Sequence, residues 1–251
     1  MLLVCNGAYK SGSTWLFRIL QGMTGFGGVP TAYGAPGWEG TGIHPPLLGR
    51  FLKRENYRDH NYIIKGHFFE RYHLLLGRSN LKIANIRRDT RDVVVSAYFY
   101  ERMKGLGKEE PISEFYHRRG WKVARMVVQY NRLWGDLPGT YMSSYEALHN
   151  DFANEVRRLA GFVGVSVSEP DVERLQRENC LESMKEKYDE RSTDGSRSFY
   201  RKGVIGDWQE HLTPEIVADI ERIEQQEAGF PTALDLLNLR LRHAYCVLTR
   251  T

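Results

Sequence analysis

The chain has 251 residues, 41% of them hydrophobic and 26% charged, ordinary proportions for a globular protein of one large or two small α/β domains. A formal net charge of +4 is too weakly basic to argue for nucleic acid, yet it is compatible with a small polyanionic ligand. No apolar run approaches the roughly 20 residues that span a bilayer, and no basic flank precedes the short N-terminal apolar run, so neither a membrane span nor a secretory leader is expected.

In chain order, Leu2 to Cys5 is an apolar run of strand length. The loop Asn6 to Thr14 follows, with Gly7 and Gly12 flanking Lys10. Apolar residues at Trp15, Leu16, Ile19, Leu20 and Met23 then recur at helical spacing. Strand, Gly-rich loop and helix make the setting in which backbone N–H groups and a helix N-terminus hold an anion. Gly7 and Gly12 have the spacing of an NTP-binding loop, but Ser13 stands where that motif requires Lys.

Thr24 to Arg50 is dense in Gly and Pro and carries Phe26, Tyr33, Trp38 and His44, so it is either a substrate-side loop or an irregular solvated one. Asn61 to Lys65 reads as a second strand ending at Gly66 and His67, and Leu81 to Ile86 as a third that runs into Arg87 and Arg88. Val93 to Val95 favour a strand, but the Thr90-x-Asp92 start, acidic at its N-terminal end, predicts a helix. Lys104 to Pro111 reads as a loop, Trp121 to Trp134 as an amphipathic helix, and Thr140 to Ser144 as a fourth strand after Gly139. Helices are predicted over Phe152 to Val163 and Pro170 to Leu181, and a polar, mobile stretch over Tyr188 to Ser198. The last predicted helix starts at Thr213–Pro214, with Thr as cap, and ends near Gly229. Strands separated by helices predict a single α/β domain over 1–251 with a central parallel sheet.

Loops at the strand ends of such a sheet converge on one edge, where α/β ligands sit. That edge collects Lys10, Lys65–Gly66–His67 and Arg87–Arg88, which are cations without a nearby carboxylate cluster. A kinase or NTPase needs Mg²⁺ held by a loop hydroxyl and a strand-end acid, whereas the third strand here ends in arginines. The edge therefore suits negative charge met by protein cations. A transferring sulfuryl group carries less charge than a phosphoryl group and can be handled there without a metal. Cys5, Cys180 and Cys246, odd in number and far apart, give neither a disulfide framework nor metal-ligand spacing and read as buried thiols in a reducing, cytoplasmic compartment.

Four segments carry a family resemblance. YKSGSTW (Tyr9 to Trp15) resembles the 5′-phosphosulfate loop YPKSGTTW of sulfotransferases dependent on 3′-phosphoadenosine 5′-phosphosulfate (PAPS), without the Pro and with Ser13 for one Thr. IKGH (Ile64 to His67) is similar to the family's K-T-H element, with Gly66 for Thr, and RRDTRDVVVS (Arg87 to Ser96) to its 3′-phosphate element. RKGVIGDW (Arg201 to Trp208) resembles the C-terminal RKGxxGDW. The four occur in the family's order across nearly the whole chain, most like the cytosolic-type branch.

The resemblance implies a three-layer α/β/α, P-loop NTPase-like fold and a sulfuryl transfer from PAPS, leaving adenosine 3′,5′-bisphosphate (PAP), to a hydroxyl or amine of a small-molecule acceptor. It implies His67 as general base, Lys10 on the bridging oxygen and 5′-phosphate, and Lys65 against the sulfonate. The N–H groups of Ser11, Gly12, Ser13 and Thr14 would cradle the 5′-phosphate, and Trp15 would pack on the adenine. Arg88, Ser96, Arg201, Lys202 and Gly203 would hold the 3′-phosphate, with Tyr145 a further nucleotide-site residue. In NCLESMK (Asn179 to Lys185), Leu181 replaces a stacking aromatic, which leaves adenine packing to Trp15 and Met184 or a looser pocket. The family's dimer element keeps Thr213 but has Gln209, Pro214 and Ala218 in place of Lys, Val and Glu, so a monomer or weak homodimer is expected. The competing functions are a P-loop small-molecule kinase and a nucleotide-binding protein without turnover. His44, His60 and His73 are expected to be structural, as are Asp207 and Trp208. Tyr98, Phe99 and Tyr100 are either core or acceptor wall.

Overall fold

The computed structural model describes residues 1–34, 42–43, 47–54, 59–105, 109–135, 137–189 and 201–248. Strand β1 (Leu2–Gly7) leads through the Lys10 loop into α1 (Ser13–Thr24), followed by the short α2 (Leu48–Arg54), β2 (Tyr62–Gly66), α3 (Tyr72–Leu75) and β3 (Leu81–Arg87). Then come α4 (Thr90–Met103), α5 (Ile112–Phe115), a π-helical turn over Tyr116–Gly120, α6 (Trp121–Gly135) and β4 (Thr140–Ser144). Helices α7 (Tyr145–Asn150), α8 (Phe152–Val163), α9 (Glu169–Glu178), α10 (Leu181–Asp189), α11 (Pro214–Gln226) and α12 (Ala233–Leu248) follow. The four strands pair in parallel in the order β2-β1-β3-β4.

Alternation along β1 builds the layers, because successive strand residues face opposite sides. Leu2 and Val4 join Ile64 and Ile83 in a core with Val93, Val127, Trp134 and Ile220, from α4, α6 and α11. Leu3 and Cys5 join Ile63 and Ala84 in a second core with Leu16, Val156, Leu159 and Leu175, from α1, α8 and α9. Both faces of the sheet are thus covered, as the near-continuous apolar runs of its strands require. With all strands parallel, the ends of β1, β2 and β3 open on one edge, which places the Lys10 loop, His67 and Arg88 together.

Several boundaries differ from the sequence expectation. The described part of the Gly/Pro-rich stretch is not plain loop: isolated bridges pair Gly27 with Tyr62 and Gly42 with Lys65, and α2 starts at Leu48. Trp38 and His44 lie outside the described residues, as do residues 106–108 of the predicted loop and 190–198 of the predicted mobile stretch. The helix predicted at Thr90 is present, but its cap is Asp89, whose carboxylate accepts from Arg91 N at 2.8 Å. Asp92 is buried and accepts instead from the N–H groups of Gly206 (2.9 Å) and Trp208 (3.1 Å), tying the C-terminal turn to α4. The helix predicted over Pro170 to Leu181 is α9, which ends at Glu178, and a further helix, α10, begins at Leu181; α9 opens on a Ser168–Asp171 capping box. Thr213 is the N-cap residue of α11 with Pro214 opening the helix, as the sequence predicts, though its side chain accepts no helix N–H. Beyond α11 lies α12, whose start carries a capping pair, Thr232 N to Asp235 Oδ2 at 2.9 Å and Asp235 N to Thr232 Oγ1 at 3.2 Å.

Candidate functional site

The loop after β1 is shaped around a close approach of backbone to ligand. Gly12 stands at φ +98, and a Cβ there would meet the Tyr145 ring at 2.9 Å. Lys10 itself adopts the left-handed region at φ 64, uncommon for a residue with a side chain. Ser11 turns back on the loop, its Oγ donating to Ala8 O at 2.6 Å and its N–H to the same carbonyl at 3.2 Å. That amide is engaged within the loop, so the donors at the N-terminus of α1 come from Ser13 and Thr14, where a helix leaves its first N–H groups without intrahelical partners.

Lys65, at the end of β2, donates from Nζ to Thr14 Oγ1 at 2.8 Å. Burial, opposed by Cys5 and aided by Arg18, holds its pKa below the usual lysine value. His67 reaches Gly7 O from Nδ1 at 2.6 Å. A carbonyl can only accept, so in the neutral ring Nδ1 carries the proton and Nε2 the lone pair. The ring is reachable by solvent yet set in enough protein mass that burial lowers its pKa below 6.5, with Lys65 and Lys10 adding to the shift and the Gly7 contact opposing it. Gly66 between them has a steric reason: a Cβ would sit 2.3 Å from the ring of Phe68.

Lys10 Nζ lies 4.3 Å from the centroid of Tyr100. Burial first, then the charges of Arg88, Lys65 and Arg201, lower its pKa from 10.5 to about 8. The aromatic triplet of α4 therefore divides. Tyr98 is core, with its hydroxyl donating to Glu110 O at 2.9 Å; Phe99 faces Arg201 at 4.2 Å; Tyr100 covers Lys10.

Arg88 lies over the Tyr145 ring at 4.1 Å, donates from Nη2 to Val204 O at 3.0 Å and stands 3.6 Å from Asp92. Trp15 meets Tyr145 edge-on at 5.2 Å and stacks near Phe152 at 6.5 Å. Arg88 Nε and Trp15 Nε1 are both buried and have no hydrogen-bond partner among the described residues. Two orphaned donors beside a Gly-built cradle fit a ligand rich in acceptor oxygens and ring nitrogens. Gly203, at φ +67, packs against Leu181, and its carbonyl accepts from or faces His149 Nε2 at 2.9 Å. Met184 is buried, and Ser96 is half-buried one α4 turn beyond Asp92.

The structure does not bring every expected residue to one point. Arg201 pairs with Asp207, and Lys202 lies 2.9 Å from Asp207 and 2.8 Å from Glu210. Asp207, Glu210 and His211 lie close enough together for metal ligation, but both carboxylates are engaged by these cations. The sequence marks Asp92 only as an acid at the start of a helix and Tyr100 only as core or acceptor wall. Asp92 could have been found from its i+4 relation to Arg88, while nothing in the spacing marks Tyr100 as the residue over Lys10.

The sulfotransferase domain family matches residues 3–230. Sulfotransferase 2A1 of Homo sapiens is 25% identical over 243 residues, spanning 90% of this chain and 84% of its own. The 3-beta-hydroxysteroid sulfotransferase of Cavia porcellus is 24% identical over 242 residues, spanning 90% and 83%. The fold is similar to that of mouse sulfotransferase SULT7A1, solved in complex with PAP, with a TM-score of 0.71 at 18% identity over 100% of this chain and 89% of that one.

Proposed function

The chain belongs to the sulfotransferase domain family, and from that premise we propose that it moves a sulfuryl group from PAPS to a hydroxyl or amine of a small-molecule acceptor, without a metal ion, as one domain. The observation that carries this is the Lys65–Thr14 contact. Where a P-loop enzyme offers its loop hydroxyl to Mg²⁺, Thr14 accepts from an ammonium, and Lys10, Arg88 and Arg201 add charge around the same cradle. Protein cations thus take the place of a metal in meeting the ligand's anionic groups.

PAPS, when bound, supplies an activated sulfuryl group. The Ser13 and Thr14 amides and Lys10 would hold its 5′-phosphosulfate, Arg88 and Ser96 its 3′-phosphate, and Trp15, Tyr145, Leu181 and Met184 would wall the base. His67 takes the acceptor proton at Nε2, Lys65 faces the sulfonate oxygens, and Lys10 meets the charge that builds on the leaving side. Arg201, Lys202 and Gly203 would join Arg88 and Ser96 at the 3′-phosphate, where the two side chains would have to leave their pairs with Asp207 and Glu210.

PAP without metal is expected to raise the melting temperature, by linkage of binding to folding. Stabilisation by ATP with Mg²⁺ alone would replace this function with that of a kinase. Arg88→Ala is expected to weaken PAP binding by about 1.5–3 kcal/mol, the usual worth of a hydrogen bond to a charged group. Adenosine 5′-phosphosulfate, which lacks the 3′-phosphate, keeps its wild-type affinity in the same titration. An equal loss for both nucleotides would take Arg88 off the 3′-phosphate.

A further inference from the structure

Beneath His67 lies a buried polar group that the transfer reaction does not itself use. β1 is apolar until Asn6, whose side chain is fully buried. Burying a carboxamide is unfavourable unless it is hydrogen-bonded, and each end of this one has a partner. Asn6 Nδ2 donates to Asn85 Oδ1 at 2.8 Å. Asn6 Oδ1 accepts from Phe68 N at 3.0 Å and from the Tyr130 hydroxyl. Tyr130 is itself buried on α6, which holds its hydroxyl against Asn6. One turn along α6, Trp134 Nε1 donates to Phe68 O at 2.9 Å.

These contacts enclose the histidine on both sides. Phe68, the residue after His67, has its N–H fixed by Asn6 and its C=O fixed by Trp134. Gly7, the residue after Asn6, presents the carbonyl that receives His67 Nδ1. We propose that Asn6 and Tyr130 are positioning residues that lock the tautomer and direction of the His67 ring by fixing Gly7 and Phe68 from inside the core. An apolar side chain at position 6 would fill the volume but leave the Phe68 N–H and the Tyr130 hydroxyl without their shared acceptor. The proposal rests on His67 as the base, and the test separates the two.

Tyr130→Phe removes the hydroxyl and keeps the ring stacked on Phe69, 5.8 Å away. In protein labelled with ¹⁵N-histidine and saturated with PAP, the neutral His67 ring of the wild type shows one tautomer with the proton on Nδ1. Tyr130→Phe shows a tautomer mixture, and its kcat with PAPS falls by about 10- to 100-fold, the scale of a misplaced reacting group, while the PAP-induced thermal shift stays at its wild-type size. Asn6→Leu, measured alongside, loses the single tautomer at least as fully. A folded variant of either kind with the Nδ1 proton still fixed overturns the proposal, whatever its turnover. If the wild type transfers nothing from PAPS while the variants still lose the tautomer, positioning stands and the sulfotransferase function falls.

Discussion

Replacing His67 by alanine is expected to lower turnover by roughly 10²–10⁴-fold, the usual share of a general base, and to leave PAP affinity at its wild-type value. The split follows from what each ring nitrogen touches. Nδ1 is committed to Gly7 O, so Nε2 is the nitrogen with a lone pair to offer. Burial and the facing charges of Lys65 and Lys10 depress the pKa below 6.5, so the ring is neutral at pH 7 and ready to accept a proton. The proposed nucleotide cradle, by contrast, consists of the N-terminus of α1, Arg88 and the Trp15–Tyr145 pair, and neither the Trp15–Tyr145 nor the Arg88–Tyr145 contact passes through His67. Single-turnover rates with a saturating acceptor, set beside PAP titrations of the same protein, measure both quantities. Unchanged turnover in His67→Ala would take the histidine out of the proton transfer, and a lost PAP affinity would make it a nucleotide ligand.

The parts of this site that were legible in the sequence are those written in local spacing. Gly7, Lys10 and Gly12 lie within one loop, and the ends of β2 and β3 are marked by the change from apolar runs to Lys65–His67 and Arg87–Arg88. A parallel sheet then brings these ends together without further information. The parts that were not legible depend on partners far along the chain. Asn6 and Tyr130 meet across 124 positions, and neither residue type in its own segment announces the contact. Asp92 is the first-turn acid the sequence shows, yet its second task, accepting the N–H groups of Gly206 and Trp208, and the cap formed by Asp89 are not marked there. Gly66 departs from the family's Thr, and only the packing of Phe68 over it gives the reason. α12 was missed because its apolar residues are not confined to one face: Leu239 is buried while Leu234, Leu237 and Leu241 are exposed.

Lys10→Met is expected to lower kcat by about 10²–10³, the cost of removing a group preplaced on developing charge, and to abolish the alkaline limb of the pH profile. The limb arises because burial, Arg88, Lys65 and Arg201 bring the Lys10 pKa down to about 8. In the free enzyme the ammonium is lost as pH rises through that value, so kcat/KM falls above it, while the acid limb set by His67 lies below 6.5. PAPS bound as proposed would place anionic oxygens beside Lys10 and favour its charged form. The alkaline limb of kcat therefore lies at higher pH than that of kcat/KM. Stability moves in the opposite sense to activity. Between about pH 8 and 10.5 the unfolded chain binds the lysine proton more fully than the folded one, so wild-type stability rises with pH across that window and is lowest below it. Methionine carries no charge to desolvate, so Lys10→Met melts no lower than wild type at pH 7 and lacks the rise. A variant that kept the alkaline limb near 8 would assign that limb to another group and leave Lys10 with a binding role only. A variant that lost turnover while melting well below wild type would mean that Lys10 holds the loop, through Tyr100 or its own strained backbone, instead of serving the transfer.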